Sequence, residues 1–530
     1  MKKLFILLCA FFFYQLSSIP ISFNQAAITF DNAIANQDYI QSLRIYNDNN
    51  ISQEITILHQ NKAFSLSDTL FTLAPNDSID IQVVFNGKHN IAYKDIFYFL
   101  NSDNQTPSFL KANIPVNYTE DLYLSTYNKW DSELRNEIFN LINNHTSLGY
   151  TGARQAMFGS IDNVDGWVEC VYTGRMVETN TIPDVNTTHM NTEHTWPQSK
   201  GAAGVAKSDL YHLYPVDEYA NNIRGNLPFG NVTNGQNWEN SGSKRGYDDN
   251  SVLVFEPRDI HKGNVARAMI YFAIRYDNPF APFFDIQEDT LKEWNKQYPV
   301  TEIEAQRNNA IAALQHKRNP FIDHPEFVER LYSIANPTDR PQIATYFFPL
   351  TDINAYYGEN ISIPIANFGN AALQINSVVP NNNLCSVIDY PNLIEPYDCG
   401  TININISAIA GETSSVISIN SSTGVYQITI NYQETAVDIN ILKPQYFQVA
   451  IYPNPISSIA NIEITSNKET LEPIFISAYN IKGQKIDSWS YKNAKKADIV
   501  FDQSKYSNGI YFLKIKQAEQ EQIKKIIIIK

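Results

Sequence analysis

Three short runs hold residue types that can break a phosphodiester bond. They are Asn191-Thr192-Glu193-His194-Thr195-Trp196-Pro197-Gln198-Ser199, Ser208-Asp209-Leu210-Tyr211-His212-Leu213-Tyr214-Pro215 and Asn221-Asn222-Ile223-Arg224-Gly225-Asn226. Imidazole titrates near neutral pH, so His194 can take a proton from water as a general base. Glu193 and an asparagine offer the oxygen donors that a hard divalent ion prefers, and such an ion clamps phosphate oxygens. A histidine beside a carboxylate, with an amide and an arginine downstream, therefore suits metal-assisted phosphodiester hydrolysis. Adjacent residues of a regular strand face opposite ways. Glu193 and His194 share one site only at a strand end or kink, and Pro197 is consistent with a strand that stops there.

The elements that must hold these residues are mixed. Asp131 and Ser132 precede Leu134, Ile138, Leu141 and Ile142 at helical spacing, which predicts a helix starting there. Thr301-Glu302-Ile303-Glu304 has the form of a capping box ahead of Ile311 and Leu314, a second helix. Pro215 to Asn222 reads as a helix with proline in its first turn. This region, about 118–340, also carries most of the histidines. On either side the apolar pattern switches to period two. Ile79-Asp80-Ile81-Gln82-Val83 follows Leu73-Ala74-Pro75-Asn76-Asp77, and Ile402-Asn403-Ile404-Asn405-Ile406 follows Ile394-Glu395-Pro396-Tyr397-Asp398. Such strands between Asn, Gly and Pro turns predict immunoglobulin-like β-sandwiches at 20–117 and 341–443, serving spacing or adhesion. Cys385 and Cys399 in the second are candidates to pair in an oxidising exterior.

The whole chain bounds these readings. Its 530 residues predict several domains, and 43% hydrophobic content rules out global disorder. Four cysteines are too few to staple so long a chain. Lys+Arg 40 against Asp+Glu 55 gives a net charge of -15, which excludes a polybasic binder of nucleic acid or anionic membrane. The balance is local, however: between Trp196 and Ile270 eight basic residues meet eight acidic ones, so cations there can still converge on a few phosphates. Met1-Lys2-Lys3, an apolar run from Leu4 to Tyr14 and Ser17-Ser18 predict a signal peptide over 1–19, and hence export.

The three runs together resemble the endonuclease I family, nonspecific secreted or periplasmic nucleases. The likeness spans about Tyr123–Tyr332 and continues through Phe255-Glu256-Pro257-Arg258, Lys262 to Arg267, Trp294 and Arg318-Asn319-Pro320-Phe321-Ile322-Asp323-His324-Pro325. It implies an α+β fold with a ββα-metal (His-Me) finger, flanked here by β-sandwiches. It also implies His194 as general base and Glu193 as metal ligand, with Asn221 completing the metal site and Asn222 as the neighbouring candidate. Arg267 resembles a family arginine near the scissile phosphate. The implied cofactor is Mg²⁺, or Ca²⁺ or Mn²⁺ in its place, and the implied products carry 5′-phosphates from DNA or RNA. Gln315-His316-Lys317 departs from the family's usual Gln-Gly-Asn, away from the finger. At the other end, Tyr452-Pro453-Asn454-Pro455, Asn480-Ile481-Lys482-Gly483-Gln484 and Gly509-Ile510-Tyr511-Phe512-Leu513-Lys514-Ile515 resemble the C-terminal sorting domain of type IX secretion. That likeness covers 448–530 as a small β-sandwich and implies the secretion machinery as a partner.

Duller readings compete. His212 beside Leu210 and Leu213 suits a packed core histidine, and Arg318 with Asp323 a structural ion pair. His189, His194 and His212 form no recognisable zinc pattern. Glu256 either assists the metal site or caps a loop. The alternatives for the whole chain are a surface adhesion protein with an inert middle domain, and a phosphodiesterase acting on small substrates.

Overall fold

The structure, a computed structural model, describes residues 21–528 apart from 104, 357, 408–412, 434–446, 453–455, 457, 467–472, 481, 493–495 and 518–519. The expected signal peptide lies outside the described residues. Contacts divide the chain into two compact units, Met1–Tyr432 and Gln433–Lys530.

In the first unit the period-two segments are strands. Ser78–Asn86 buries Ile81, Val83 and Phe85 and turns the intervening residues outward. It pairs antiparallel with Asp38–Tyr46, while Ala92–Asn101 pairs with Ser108–Asn117 in a second sheet. The apolar faces enclose one core that includes Leu43, Ile45, Phe64, Phe97 and Ile114. Farther along, Asn360–Asn367 and Asp398–Ile406 pair in the same manner, and Ile402, Ile404 and Ile406 point into another core.

Between them the character is mixed α/β. The helix Asp259–Arg275 is buried on nearly every side, with Val265, Met269, Phe272 and Ile274 sealed from solvent. A helix apolar all round needs a shell, and others supply it. Asp131–Ile142, Glu288–Gln297 and Glu302–Gln315 contribute Leu134, Ile138, Leu291, Trp294 and Ile311 to the same core. Three small sheets complete this part; one is the antiparallel pair Met190–His194 with Leu213–Asp217.

The flanking β regions are docked on this middle rather than strung beside it. Arg330, fully buried, donates to Asn90 Oδ1, Thr126 O and Lys129 O, and Glu329 meets Lys88 and His89. Arg340 makes a double contact with Asp131. Ile96, Tyr98 and Leu100 share an apolar cluster with Ala366 and Cys399. The second unit, taken by itself, has one sheet of three strands and one of four, with Ile462, Ile464, Ile476 and Leu513 in its core. Among the described residues no helix is long and apolar enough to cross a membrane.

Three local expectations are corrected. Pro215 sits in the strand Leu213–Asp217, and the helix begins only at Glu218. A two-stranded ladder has only edge strands, where the missing N–H of proline is tolerated. Thr301 caps its helix by accepting from Glu304 N at 3.2 Å, but the Glu304 carboxylate turns to Arg267 instead of completing the box. Cys385 and Cys399 are buried free thiols on paired strands, with Cys385 Sγ against Ser415 Oγ at 3.3 Å.

Candidate active site

The strand Met190–His194 runs antiparallel to Leu213–Asp217, which passes directly into the helix Glu218–Arg224. Asp217 caps that helix, accepting from Tyr219 N at 3.0 Å and Ala220 N at 3.2 Å. Asn221 and Arg224 are one turn apart, so they share a helix face. That face lies on the strand. Asn221 Nδ2 reaches Thr192 O at 3.5 Å, while Arg224 donates to Thr195 O at 2.6 Å and His194 O at 3.4 Å. Arg224 Nη1 also stands 3.4 Å from Glu193 Oε1. The guanidinium thus ties the strand end to the helix.

The strand stops at His194, shortly before Pro197. His194 Nε2 lies 3.2 Å from Lys207 O. A carbonyl only accepts, so Nε2 carries the hydrogen and Nδ1 is left as the basic nitrogen. The Gln198 amide approaches that Nδ1 at 3.4 Å as a donor. Burial pushes His194 down to about 4, with the nearby Lys207, Arg224 and Arg154 charges adding to the effect, so the ring is neutral and proton-accepting near pH 7. Its face stacks on Tyr150 at 5.6 Å, and the His212 ring meets it edge-on at 5.5 Å. His212 is a core histidine: it is fully buried and donates Nε2–H to Ala206 O at 2.7 Å. Two imidazoles thus hang from successive carbonyls of one short turn.

Glu193 is also enclosed. Tyr172 OH donates to its Oε1 at 2.8 Å. Burial raises the Glu193 carboxyl, opposed in part by the Arg224 charge and the Tyr172 hydrogen bond. A divalent cation fits this donor set. One carboxylate oxygen and the Asn221 amide oxygen are hard donors, and a positive ion offsets the cost of holding a carboxylate out of water. Among the described residues no group of three or more His, Cys, Asp or Glu side chains gathers as a metal cluster, at this site or at any other.

Other sequence candidates fall away from this point. Asn222 is exposed and lines a separate depression with Arg175, His189 and Tyr219. Glu256 Oε1 is 2.7 Å from Lys262 Nζ and Oε2 accepts from Val232 N at 2.8 Å, so it braces a loop. Arg318 and Asp323 are an ion pair at 2.6 Å. Arg267 is only 1% exposed. Its Nε and Nη2 grip Glu304 at 2.7 and 2.6 Å and its Nη1 donates to Tyr298 O at 2.9 Å, which leaves no face for a phosphate. Tyr172, Tyr150 and Arg154 are the residues that pattern reading missed, since each meets the site only through tertiary contact.

Residues 131–326 match the family described as Endonuclease I, and residues 450–529 match the secretion system C-terminal sorting domain. An extracellular ribonuclease of Bacillus subtilis (strain 168) is 33% identical over 239 residues, covering 41% of this chain and 80% of that protein. The chain belongs to the endonuclease I family. An extracellular ribonuclease of Bacillus amyloliquefaciens is 32% identical, over 40% of this chain and 78% of its own length. A periplasmic deoxyribonuclease of Aeromonas hydrophila is 25% identical, over 36% of this chain and 84% of its own length. This endonuclease I relative is thus a nuclease-class enzyme carrying a type IX sorting tail, a secreted or cell-surface protein.

Proposed function

We propose that this enzyme is an exported, divalent-metal-dependent endonuclease that hydrolyses DNA and RNA without sequence preference and leaves 5′-phosphates. The observation that carries the reading is the His194 tautomer: Nε2–H spent on Lys207 O, Nδ1 held as acceptor at the strand end beside Glu193. His194 Nδ1 takes the proton of a water that attacks phosphorus in line. Arg224 and Tyr172 fix Glu193, and Arg224 fixes the backbone on which His194 sits. Glu193 and Asn221 would hold Mg²⁺, or Ca²⁺ or Mn²⁺ in its place. When bound, the ion supplies charge stabilisation of the crowded anionic phosphorus and of the leaving 3′-oxygen. A base that needs no 2′-hydroxyl serves both nucleic acids, in keeping with relatives named for each.

The same reading makes the strand pair and the helix Glu218–Arg224 a ββα-metal finger within a nuclease domain at 118–340. The described parts of 20–117 and 341–443 are then immunoglobulin-like sandwiches, and 448–530 is the segment presented to the type IX machinery. Purified protein with supercoiled plasmid tests the activity. Mg²⁺ should give nicked circles, EDTA should abolish them, and His194→Ala should slow nicking by at least about a hundredfold. Undiminished nicking by His194→Ala, or none by wild type, would sink the proposal. Re-ligation of the products without prior phosphorylation checks for the 5′-phosphate.

A further inference from the structure

Most cations of the nuclease region are already neutralised by carboxylates. Arg175 pairs with Asp217, Arg258 with Glu169, Lys262 with Glu256, Arg267 with Glu304 and Arg307 with Asp162. Several others have no carboxylate partner among the described residues, and two of these, Arg154 and Lys207, stand together. Among the described residues Arg154 and Lys207 make no ion pair, yet both converge on the Tyr150 ring, at 5.5 Å and 4.6 Å from its centroid. That ring is the one stacked on His194. Arg154 comes from the helix Gly149–Ala156 and Lys207 from the turn Ala206–Ser208, so the convergence is tertiary.

Arg154 is anchored as well as near. Its Nε donates to Thr192 Oγ1 at 3.0 Å. Thr192 lies two residues before His194, on the same face of the strand. With Nε held, the two terminal nitrogens form the edge that grips a phosphate bidentately. Lys207 is fixed differently: its backbone carbonyl holds His194 Nε2–H, while its side chain lies over Tyr150 and is neither buried nor bonded to a carboxylate. In a chain of net charge -15, two unpaired cations beside a buried neutral imidazole form a local attractor for a polyanion.

We propose that Arg154 and Lys207 hold the phosphodiester backbone of the substrate beside His194, the task that family resemblance assigns to Arg267. The inference rests on the nuclease reading, and it explains how an acidic protein recruits an acidic substrate. Tyr150 sets the spacing: its ring stacks on the imidazole and gives both ammonium and guanidinium an aromatic surface to rest on. The contact is to phosphate, so it carries no base preference.

The test uses the mature chain in a His194→Ala background, so that binding is read without cleavage. Labelled single strands of DNA and of RNA with one common sequence are titrated by fluorescence anisotropy over a range of salt. Arg154→Gln and Lys207→Gln should each weaken binding roughly tenfold. Each should also flatten the slope of log affinity against log salt by about 0.7. Arg154→Lys and Lys207→Arg should keep most of the slope. In the catalytically intact background the same Gln substitutions should raise KM more than they lower kcat. Unchanged affinity and slope would overturn the proposal. So would a loss not rescued by the conservative variants, which marks a structural role. Failure of wild type to nick plasmid, with the salt-dependent binding intact, would instead condemn the hydrolytic reading and leave the backbone grip standing. Equal losses on DNA and RNA are expected, and a loss confined to RNA would mean a 2′-hydroxyl contact and overturn the phosphate assignment.

Discussion

Arg267 and Glu304 are each about 1% exposed and joined by two hydrogen bonds, inside the core that carries the helix Asp259–Arg275. Removing one partner leaves the other charge buried without compensation. Arg267→Ala should therefore lower unfolding free energy by about 3–5 kcal/mol. The double replacement Arg267→Met with Glu304→Met should restore most of it. Urea unfolding followed by fluorescence measures both. If Arg267→Ala keeps its stability and loses turnover, the phosphate role returns to Arg267. The same residue marks the limit of pattern reading. A guanidinium serves a carboxylate or a phosphate equally well, and only packing decides which is within reach. That Glu193 and His194 stand at the end of a strand was legible, because residue type and the proline beyond them mark where a strand must stop. Tyr172, 21 residues from Glu193, and Arg154, 38 residues from Thr192, were not, because no spacing rule links them.

The helix Glu218–Arg224 is the element on which the site depends most. Seven residues are too few to hold a helix alone, so its termination and packing must do so. Asp217 supplies the N-cap and also pairs with Arg175 Nε at 2.8 Å. Asp217→Ala should cost about 1 kcal/mol for the cap. Because Asn221 and Arg224 ride on this helix, the variant should also need more Mg²⁺ for half-maximal nicking. Asp217→Asn keeps the cap and should lie near wild type in its metal requirement. A metal titration of plasmid nicking separates the two, and an unshifted curve for Asp217→Ala would refute the dependence. The element was readable only in part. Its chemistry-bearing face follows from the one-turn spacing of Asn221 and Arg224. Its start was misplaced because Pro215 favours a first helical turn in isolation, whereas pairing with Thr192 keeps it in the strand.

At the scale of the molecule, acid should weaken the first unit in two stages. Burial drives His261 down to about 3 and His212 well below the usual range, with 4% and 0% of their surfaces exposed. Each is neutral when folded, while the unfolded chain takes up a proton near pH 6.5. Below that value the unfolded state binds more protons, so stability falls as pH falls. The loss is at most about 1.4 kcal/mol per pH unit for each such histidine, and for His261 it levels off near its folded value. Glu329 acts lower. Hydrogen bonding to His89 leads the causes that hold it at about 2, and Lys88 adds to them. Its stabilisation is complete above about 4.5 and drains away as pH falls through its folded value. This carboxylate sits at the seam between the N-terminal β region and the nuclease region, and 41% of it meets solvent, so its share is small and salt-sensitive. Melting temperature should therefore decline steadily from pH 6.5 to 4.5 with little dependence on salt. Below 4.5 a further, salt-dependent loss should begin. His261→Gln removes one titrating group from the first stage and should flatten it, while Glu329→Gln should alter only the second. Scanning calorimetry across that range at two ionic strengths reads both stages. A melting temperature that stays level between pH 6.5 and 4.5 would mean that the buried imidazoles are protonated in the fold, against the neutral state that their burial dictates.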